Sequence, residues 1–151
     1  MPGVSNYKCD KCDFELPSGW GGHSYVTDKD GNRIVCRHPG EIRDARRILA
    51  ESYPDRAYGL TVKMQADYDK WRQTDPNSFD VHEFVNSRMG FNSYCVCLNC
   101  TDQFKLDLRI DEHICPKCGS PDIVPVREMV GKSCPKCHQG TIEEIPTGIW
   151  S

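Results

Sequence analysis

The sequence lacks long apolar runs and has little hydrophobic character overall. Hydrophobic residues make up 38% of its 151 residues and aromatic residues 9%, and the mean hydropathy is −0.61. No stretch approaches the roughly 18 consecutive apolar residues of a membrane span, so we expect no membrane partner. A hydrophobic fraction this low also indicates that something besides apolar burial contributes to stability.

The N-terminal stretch MPGVSNYKCDKCDFELPSGW lacks the basic region, the apolar region and the cleavage site of a secretory signal peptide. We therefore expect a cytoplasmic protein, in which thiols stay reduced and serve as metal ligands or catalysts. A strong excess of positive charge is also missing. The formal net charge is −3, so the chain as a whole is not an obvious binder of polyanions.

Cysteine, in contrast, is abundant, with 10 residues in the chain. Eight of them form four Cys-x-x-Cys pairs: Cys9 with Cys12, Cys97 with Cys100, Cys115 with Cys118, and Cys134 with Cys137. Two residues between thiols allow a tight turn to direct both sulfur atoms at one tetrahedral ion. A single pair would resemble a redox dithiol, but four pairs indicate metal sites.

The best-defined site combines Cys97, Cys100, Cys115 and Cys118. Between its two halves, the segment 104–110 alternates apolar and polar residues, which is the period of a half-buried strand. The sequence therefore predicts a β-hairpin whose ends are joined by one metal ion.

This hairpin resembles the zinc-ribbon and rubredoxin-like families, since CPKCG at 115–119 matches their second cysteine turn. In that turn Gly119 is free to take a positive φ. The resemblance covers about a quarter of the chain and implies a small ribbon with one tetrahedral metal but no fixed function. Thr101 stands where rubredoxins usually have glycine, which favours zinc over an iron electron-transfer centre.

The ligands of the remaining pairs are open to more than one assignment. Cys9 and Cys12 are followed by Cys36 and His38, which would close a self-contained N-terminal site, with His23 as an alternative imidazole. Because closing a short loop costs less entropy, we favour this local site over the assembly of Cys9 and Cys12 with Cys134 and Cys137.

The C-terminal segment predicts a second ribbon-like hairpin, with strands at 122–130 and from Thr141 onward, around a cysteine turn at Cys134 and Cys137. This turn lacks two ligands, which could come from Cys9 and Cys12, from Cys36 and His38, from Cys95 and His138, or from another chain. The sequence thus predicts two bound zinc ions, and a third if the turn at Cys134 and Cys137 obtains a full set of four ligands. Zinc is favoured over iron as the bound metal. Cys95 is interpreted as a free thiol, either buried or partly exposed.

The middle of the chain has a helical period instead. In segment 41–52 Ile42, Ala45, Ile48 and Leu49 share one helical arc, and two further helices follow before Gly90. We predict a small, metal-stabilised α+β fold with zinc-ribbon β-hairpins at both ends of a three-helix segment. Its expected divisions are a zinc-binding hairpin at 1–40, helices at 41–91, a zinc ribbon at 92–121 and a second hairpin at 122–151.

No catalytic constellation is evident, since His82 and Glu83 have no second histidine at protease spacing. We therefore expect a structural-zinc adaptor or accessory subunit with a protein partner, not an enzyme. One alternative is a nucleic-acid-binding regulator that uses the arginine cluster Arg33, Arg37, Arg43, Arg46 and Arg47, although we favour a solvated helix face in which arginines pair with acidic residues at helical spacing. Another alternative is a rubredoxin-like electron carrier with iron at Cys97, Cys100, Cys115 and Cys118.

Overall fold

A computed structural model describes residues 3–19 and 21–150 of the chain. The protein has the predicted α+β composition and divides into two compact units. The first unit combines residues 1–23 with residues 91–151, so it contains both ends of the sequence, and the second comprises residues 24–90. Each unit has its own cluster of buried hydrophobic residues.

The strands and helices follow one another along the chain in this order: β1 (Gly3–Cys9), β2 (Glu15–Gly19), β3 (Gly22–Thr27), β4 (Arg33–Val35), α1 (Glu41–Ser52), α2 (Ala57–Thr61), α3 (Gln65–Thr74), α4 (Val81–Asn86), β5 (Met89–Cys97), β6 (Gln103–Leu106), β7 (Ile123–Pro125) and β8 (Ile142–Trp150). Single 3₁₀ turns occupy Pro54–Arg56 and Val126–Met129. None of the helices in the described part of the chain combines the length and the hydrophobicity that a membrane span requires.

A three-stranded antiparallel sheet joins the two ends of the first unit. Strand β1 lies between β2 and β8, and its register places Cys9 opposite Ile142. Along β1, Tyr7 and Cys9 are buried whereas Asn6 and Lys8 are exposed, which is the alternation of a strand with one face on the core. The β1–β8 pairing therefore brings a cysteine turn near the start of the chain beside one near its end.

Strand β5 of the same unit pairs with β6 and β7, both antiparallel. The alternating segment predicted as a strand up to Ile110 leaves the sheet after Leu106. There the buried carboxylate of Asp107 accepts a hydrogen bond from the N–H of Arg109, and the carboxylate of Asp111 accepts one from the N–H of Asp107. These side-chain bonds form a turn that competes with a longer strand, and Ile110 is left 68% exposed.

The C-terminal segment differs from the predicted second hairpin. Strand β7 has three residues and is followed by the 3₁₀ turn, whose Val126 and Met129 are buried in the core of the first unit. Strand β8 pairs with β1. Across the cysteine turn, the contacts are a bridge between Ser133 and Thr141 and the backbone hydrogen bonds that join 131–134 to 140–142, so the pairing there is short. The apolar residues here fill a core between distant segments of sequence and not a local hairpin.

The second unit combines the β3–β4 hairpin with four α-helices where three were predicted. In the turn of this hairpin, the carboxylate of Asp28 accepts hydrogen bonds from the N–H groups of Asp30 and Asn32. Helix α1 buries Ala45, Ile48 and Leu49 as predicted. Ile42, which was predicted on the same buried arc, is instead 58% exposed because it lies in the first turn of the helix, beyond the core.

Candidate metal centres

Two groups of four cysteines converge in the first unit. We call Cys9, Cys12, Cys134 and Cys137 the terminal cluster, and Cys97, Cys100, Cys115 and Cys118 the local cluster; in each, all four sulfur atoms lie within 4.8 Å of one another. The nearest sulfur pairs in the terminal cluster are 3.7 Å apart, and those in the local cluster are 3.6 Å apart. Among the residues that the structure describes, only these two groups have ligand atoms arranged to hold a metal ion.

These distances fit a tetrahedral ion bound by four thiolates. With metal to sulfur bonds of about 2.3 Å, the sulfur atoms of a regular tetrahedron are separated by about 3.8 Å. In both clusters the close pairs join the first cysteine of one turn to the second cysteine of the other. The two turns of each cluster therefore contact each other reciprocally, as expected when two equal turns share one ion.

The backbone of the cysteine turns is built to present the sulfur atoms. The N–H of the first cysteine donates across the turn to a carbonyl at 2.8–2.9 Å: Cys9 to Phe14, Cys97 to Asp102, Cys115 to Ser120 and Cys134 to Gly140. In three turns the residue directly after the second cysteine has a positive φ: 66° at Thr101, 75° at Gly119 and 59° at His138. Thr101 thus adopts the conformation for which related turns use glycine.

Backbone N–H groups inside the turns point at the sulfur atoms. Those of Lys11, Asn99, Lys117 and Lys136 donate to the first cysteine of their own turn at 3.3–3.4 Å. Such donors disperse the negative charge that four thiolates bring to one ion, and they stabilise the deprotonated form.

The thiols within each cluster differ in pKa, and in two of them hydrogen-bond donors lower it. The side-chain amide of Asn99 and the backbone N–H of Ser120 lower the pKa of Cys118 to about 6. The backbone N–H groups of Gln139 and Gly140 likewise lower the pKa of Cys137 to about 6. These two thiols are therefore poised to ionise at neutral pH.

The thiols of Cys12 and Cys100 behave in the opposite way. The N–H of Phe14 lowers the pKa of Cys12, but burial and the three neighbouring thiols outweigh it and raise that pKa to about 12. Cys100 is raised to the same pKa of about 12, although the N–H of Asp102 acts against the rise. Four thiolates this close repel one another, so a dication at the centre is what allows them all to ionise.

The terminal cluster is tied together by more than its sulfur atoms. Asp10 and Thr141 are joined twice, because the N–H of Asp10 donates to the carbonyl of Thr141 and the N–H of Thr141 donates to the carboxylate of Asp10. At the surface, the ammonium of Lys136 lies 2.7 Å from a carboxylate oxygen of Asp13. Gly140 is packed so closely that a Cβ there would overlap the sulfur of Cys9.

The favoured self-contained N-terminal site is not the arrangement in the structure, which instead places Cys9 and Cys12 with Cys134 and Cys137. Cys36 lies in the core of the second unit, where burial raises its pKa to about 11 and keeps it protonated. His38 contacts the carboxylate of Glu41 through Nδ1. Neither residue belongs to a cluster, and neither does His138 or His23.

Cys95 is a free thiol, and of the two environments left open by the sequence it has the buried one. It lies on β5, its Sγ donates to the carbonyl of Ser93, and burial raises its pKa to about 11. One contributor was missed by the sequence analysis: the side chain of Asn99, whose amide donates to Cys118 Sγ at 3.6 Å. An asparagine between two cysteines carries no spacing signal that distinguishes it from an ordinary turn residue.

Several members of the arginine cluster are engaged within the second unit. Arg46 donates to the carbonyls of Gly59, Leu60 and Val62. Arg47 bridges Asp44 and Glu51, Arg37 also lies near Asp44, and Arg33 stacks over a tyrosine ring. These contacts reduce the positive charge available to a phosphate backbone.

No protein family, curated protein sequence or solved structure matches the chain.

Proposed function

We propose that the protein is an adaptor or accessory subunit whose two four-cysteine clusters hold structural zinc and which docks onto a larger protein assembly. The observation that carries the structural role is the ligand set: each cluster offers four thiolates at tetrahedral spacing. A metal bound in this way has a closed shell of protein ligands. The negative charge of the four thiolates weakens the Lewis acidity of the metal ion, so we propose no catalytic role for either metal.

The placement of the clusters supports a scaffold. Cys9 and Cys134 are members of the buried core of the first unit, together with Tyr7, Val96 and Ile142. Metal binding at the terminal cluster and packing of this core therefore require the same arrangement of segments. In small sites of this kind the free energy of metal binding contributes directly to the free energy of folding.

Elemental analysis and a visible absorption spectrum of the purified native protein test the metal assignment. We expect two zinc ions per chain and a colourless protein. A charge-transfer band with stoichiometric iron would instead favour the rubredoxin-like electron carrier, for which the solvent exposure of Cys118 provides a surface ligand.

Affinity capture tests the adaptor role. We expect the metal-loaded protein to retain a partner protein from its own cellular extract, and we expect the variant Cys134→Ser, which lacks one core ligand, to lose it. Retention of nucleic acid alone, in a manner that falls steeply with salt and is lost in Arg43→Ala, would support the nucleic-acid alternative instead.

A further inference from the structure

The second unit carries an open groove that the metal centres do not explain. It has a volume of about 940 Å³ and runs between one side of α1 and the segment 60–63. On the helix, Ile42, Arg46 and Ala50 recur at intervals of four residues and so form one stripe. With a rise of about 1.5 Å per residue, the stripe from Ile42 to Ala50 is about 12 Å long.

The floor of this groove is apolar although it is open to solvent. Leu60 lies at its base, and Val62 and the exposed Ile42 flank it. Exposed apolar surface that is contiguous and rimmed by polar groups is characteristic of interaction sites. An elongated groove beside a helix is suited to a second helix, which can lay its apolar face along the stripe.

The rim of the groove is positively charged. Four basic side chains and a single acidic side chain line it, in a chain whose formal net charge is −3. Arg43 and Lys63 stand on opposite walls, and neither has an ion-pair partner among the described residues. Two cations without an ion-pair partner beside an apolar floor are complementary to a segment with an apolar face and acidic flanks.

The walls of the groove are held in place before anything binds. Arg46 Nε donates to the carbonyl of Leu60 at 2.8 Å, and its Nη2 donates to those of Gly59 and Val62 at 3.3 and 3.2 Å. These bonds satisfy the carbonyls at the C-terminal end of α2 and connect that wall to α1. A groove fixed in this way loses little conformational entropy on binding.

We propose that this groove binds an acidic, amphipathic helix of a protein partner. Its apolar side chains contact Ile42, Leu60 and Val62, and its carboxylates pair with Arg43 and Lys63. This inference rests on the adaptor function proposed above and names the surface and the chemistry of its partner.

The test is selection from a displayed library of random peptides, each about 16 residues long so that a helix spans the stripe, against the full-length, metal-loaded protein. We expect the selected sequences to place apolar residues at helical spacing with acidic residues beside them. Synthetic peptides of these sequences should bind at least about tenfold more weakly to Ile42→Asp and to the double variant Arg43→Glu, Lys63→Glu. The matched control is Ile110→Asp, which changes a comparably exposed apolar residue in the first unit and should bind normally.

The proposal is overturned if no peptide is enriched, if the enriched sequences are not acidic, or if Ile42→Asp binds them as well as the native protein does. Dimers in sedimentation that dissociate in Ile42→Asp would mean that a second copy of the chain occupies the groove, which also overturns it. Binding of single-stranded nucleic acid that depends on Arg43 but not on Ile42 would overturn it as well.

The same variant separates the two proposals. Ile42 is exposed and lies outside the unit that holds the cysteine clusters, so Ile42→Asp should fold and retain two metals. If this variant captures the cellular partner unchanged, the groove assignment is wrong while the adaptor role stands. If the native protein captures no partner, the adaptor role itself fails.

Discussion

The local and terminal clusters have the same ligands and nearly the same sulfur spacing, yet they are built from very different lengths of chain. Cys100 and Cys115, a close pair of the local cluster, are 15 residues apart, whereas Cys12 and Cys134 of the terminal cluster are 122 residues apart. Closing the longer loop costs about 2 kcal/mol more in chain entropy. The pairing of β1 with β8 and the core beneath it offset this difference, so the terminal cluster depends on the fold more than the local cluster does.

The largest expected effect comes from removing a buried ligand of each cluster. Cys134→Ser should release one of the two metals and lower the free energy of unfolding by more than about 4 kcal/mol, because metal and core are lost together. Cys115→Ser, at an equally buried position, should also release one metal but leave the β1–β8 pairing intact and lower that free energy less. Metal analysis measures the metal content of the two variants, and chemical denaturation with and without chelator measures their free energies of unfolding. Equal destabilisation by the two variants would contradict the stronger coupling of the terminal cluster to the core.

A smaller effect, confined to the terminal cluster, is expected from a substitution that creates steric overlap there. In Gly140→Ala the added Cβ meets the sulfur of Cys9 and lies 2.7 Å from a carboxylate oxygen of Asp10, so the terminal site should bind metal more weakly. We expect a loss of at least about tenfold in affinity, which corresponds to about 1.4 kcal/mol.

The matched control is Gly119→Ala in the local cluster, where a Cβ meets nothing within 4 Å but φ is +75°. This variant should cost about 1 kcal/mol of folding free energy through backbone strain and should keep both metals. Competition with a chromogenic chelator measures the two affinities. Normal metal affinity in Gly140→Ala would show that the two cysteine turns can separate without losing the ion.

The clusters should also differ in how fast they release metal to a thiol-reactive reagent. Cys118 of the local cluster is exposed, whereas its counterpart Cys137 in the terminal cluster is half-buried. We expect release in two phases, with the faster phase coinciding with modification of Cys118, as located by mass spectrometry. Initial modification at Cys12 or Cys137 would reverse the expected order.

The smallest effect is expected from Asn99→Ala. The amide of Asn99 stabilises the thiolate of Cys118 and so lowers its pKa; without it, protons compete better for this sulfur. Metal should therefore leave the local cluster at a higher pH than in the native protein, by a fraction of a pH unit. Acid titration followed by a zinc-sensitive dye measures the shift. The terminal cluster of the same variant is the internal control and should release its metal at an unchanged pH.

The local cluster shows what spacing can establish from sequence alone. The four cysteines that the spacing grouped lie together, and Gly119 has the positive φ that the turn predicts. The helix at 41–52 could also be found, since its hydrophobic period is a local signal. Each of these predictions depends on residues that are close in the chain.

The ligands of the terminal cluster are harder to predict from the sequence. The entropy of loop closure favours a partner pair that is close in the chain, and a Cys-x-x-Cys pair carries no signal that identifies a distant partner pair. What determines its ligands is the register of β1 against β8, and short strands such as Gly3–Cys9 carry a weak pattern. The same limit applies to the groove. Ile42 has the same helical spacing as the buried residues of α1. Because it lies in the first turn of the helix, it is nevertheless exposed and lies outside the core.

The distance between the two halves of the terminal cluster has a consequence for biosynthesis. As a ribosome makes the chain, all the ligands of the local cluster appear within a separation of 21 residues, and that site can close early. Cys9 and Cys12 have no partner cysteines until Cys134 has been synthesised. During that interval the edge of β1 that pairs with β8 in the folded protein is unpaired, and other nascent chains could join it. If both clusters bind metal as proposed, the terminal cluster can complete its ligand set only after the ribosome has added Cys134 and Cys137.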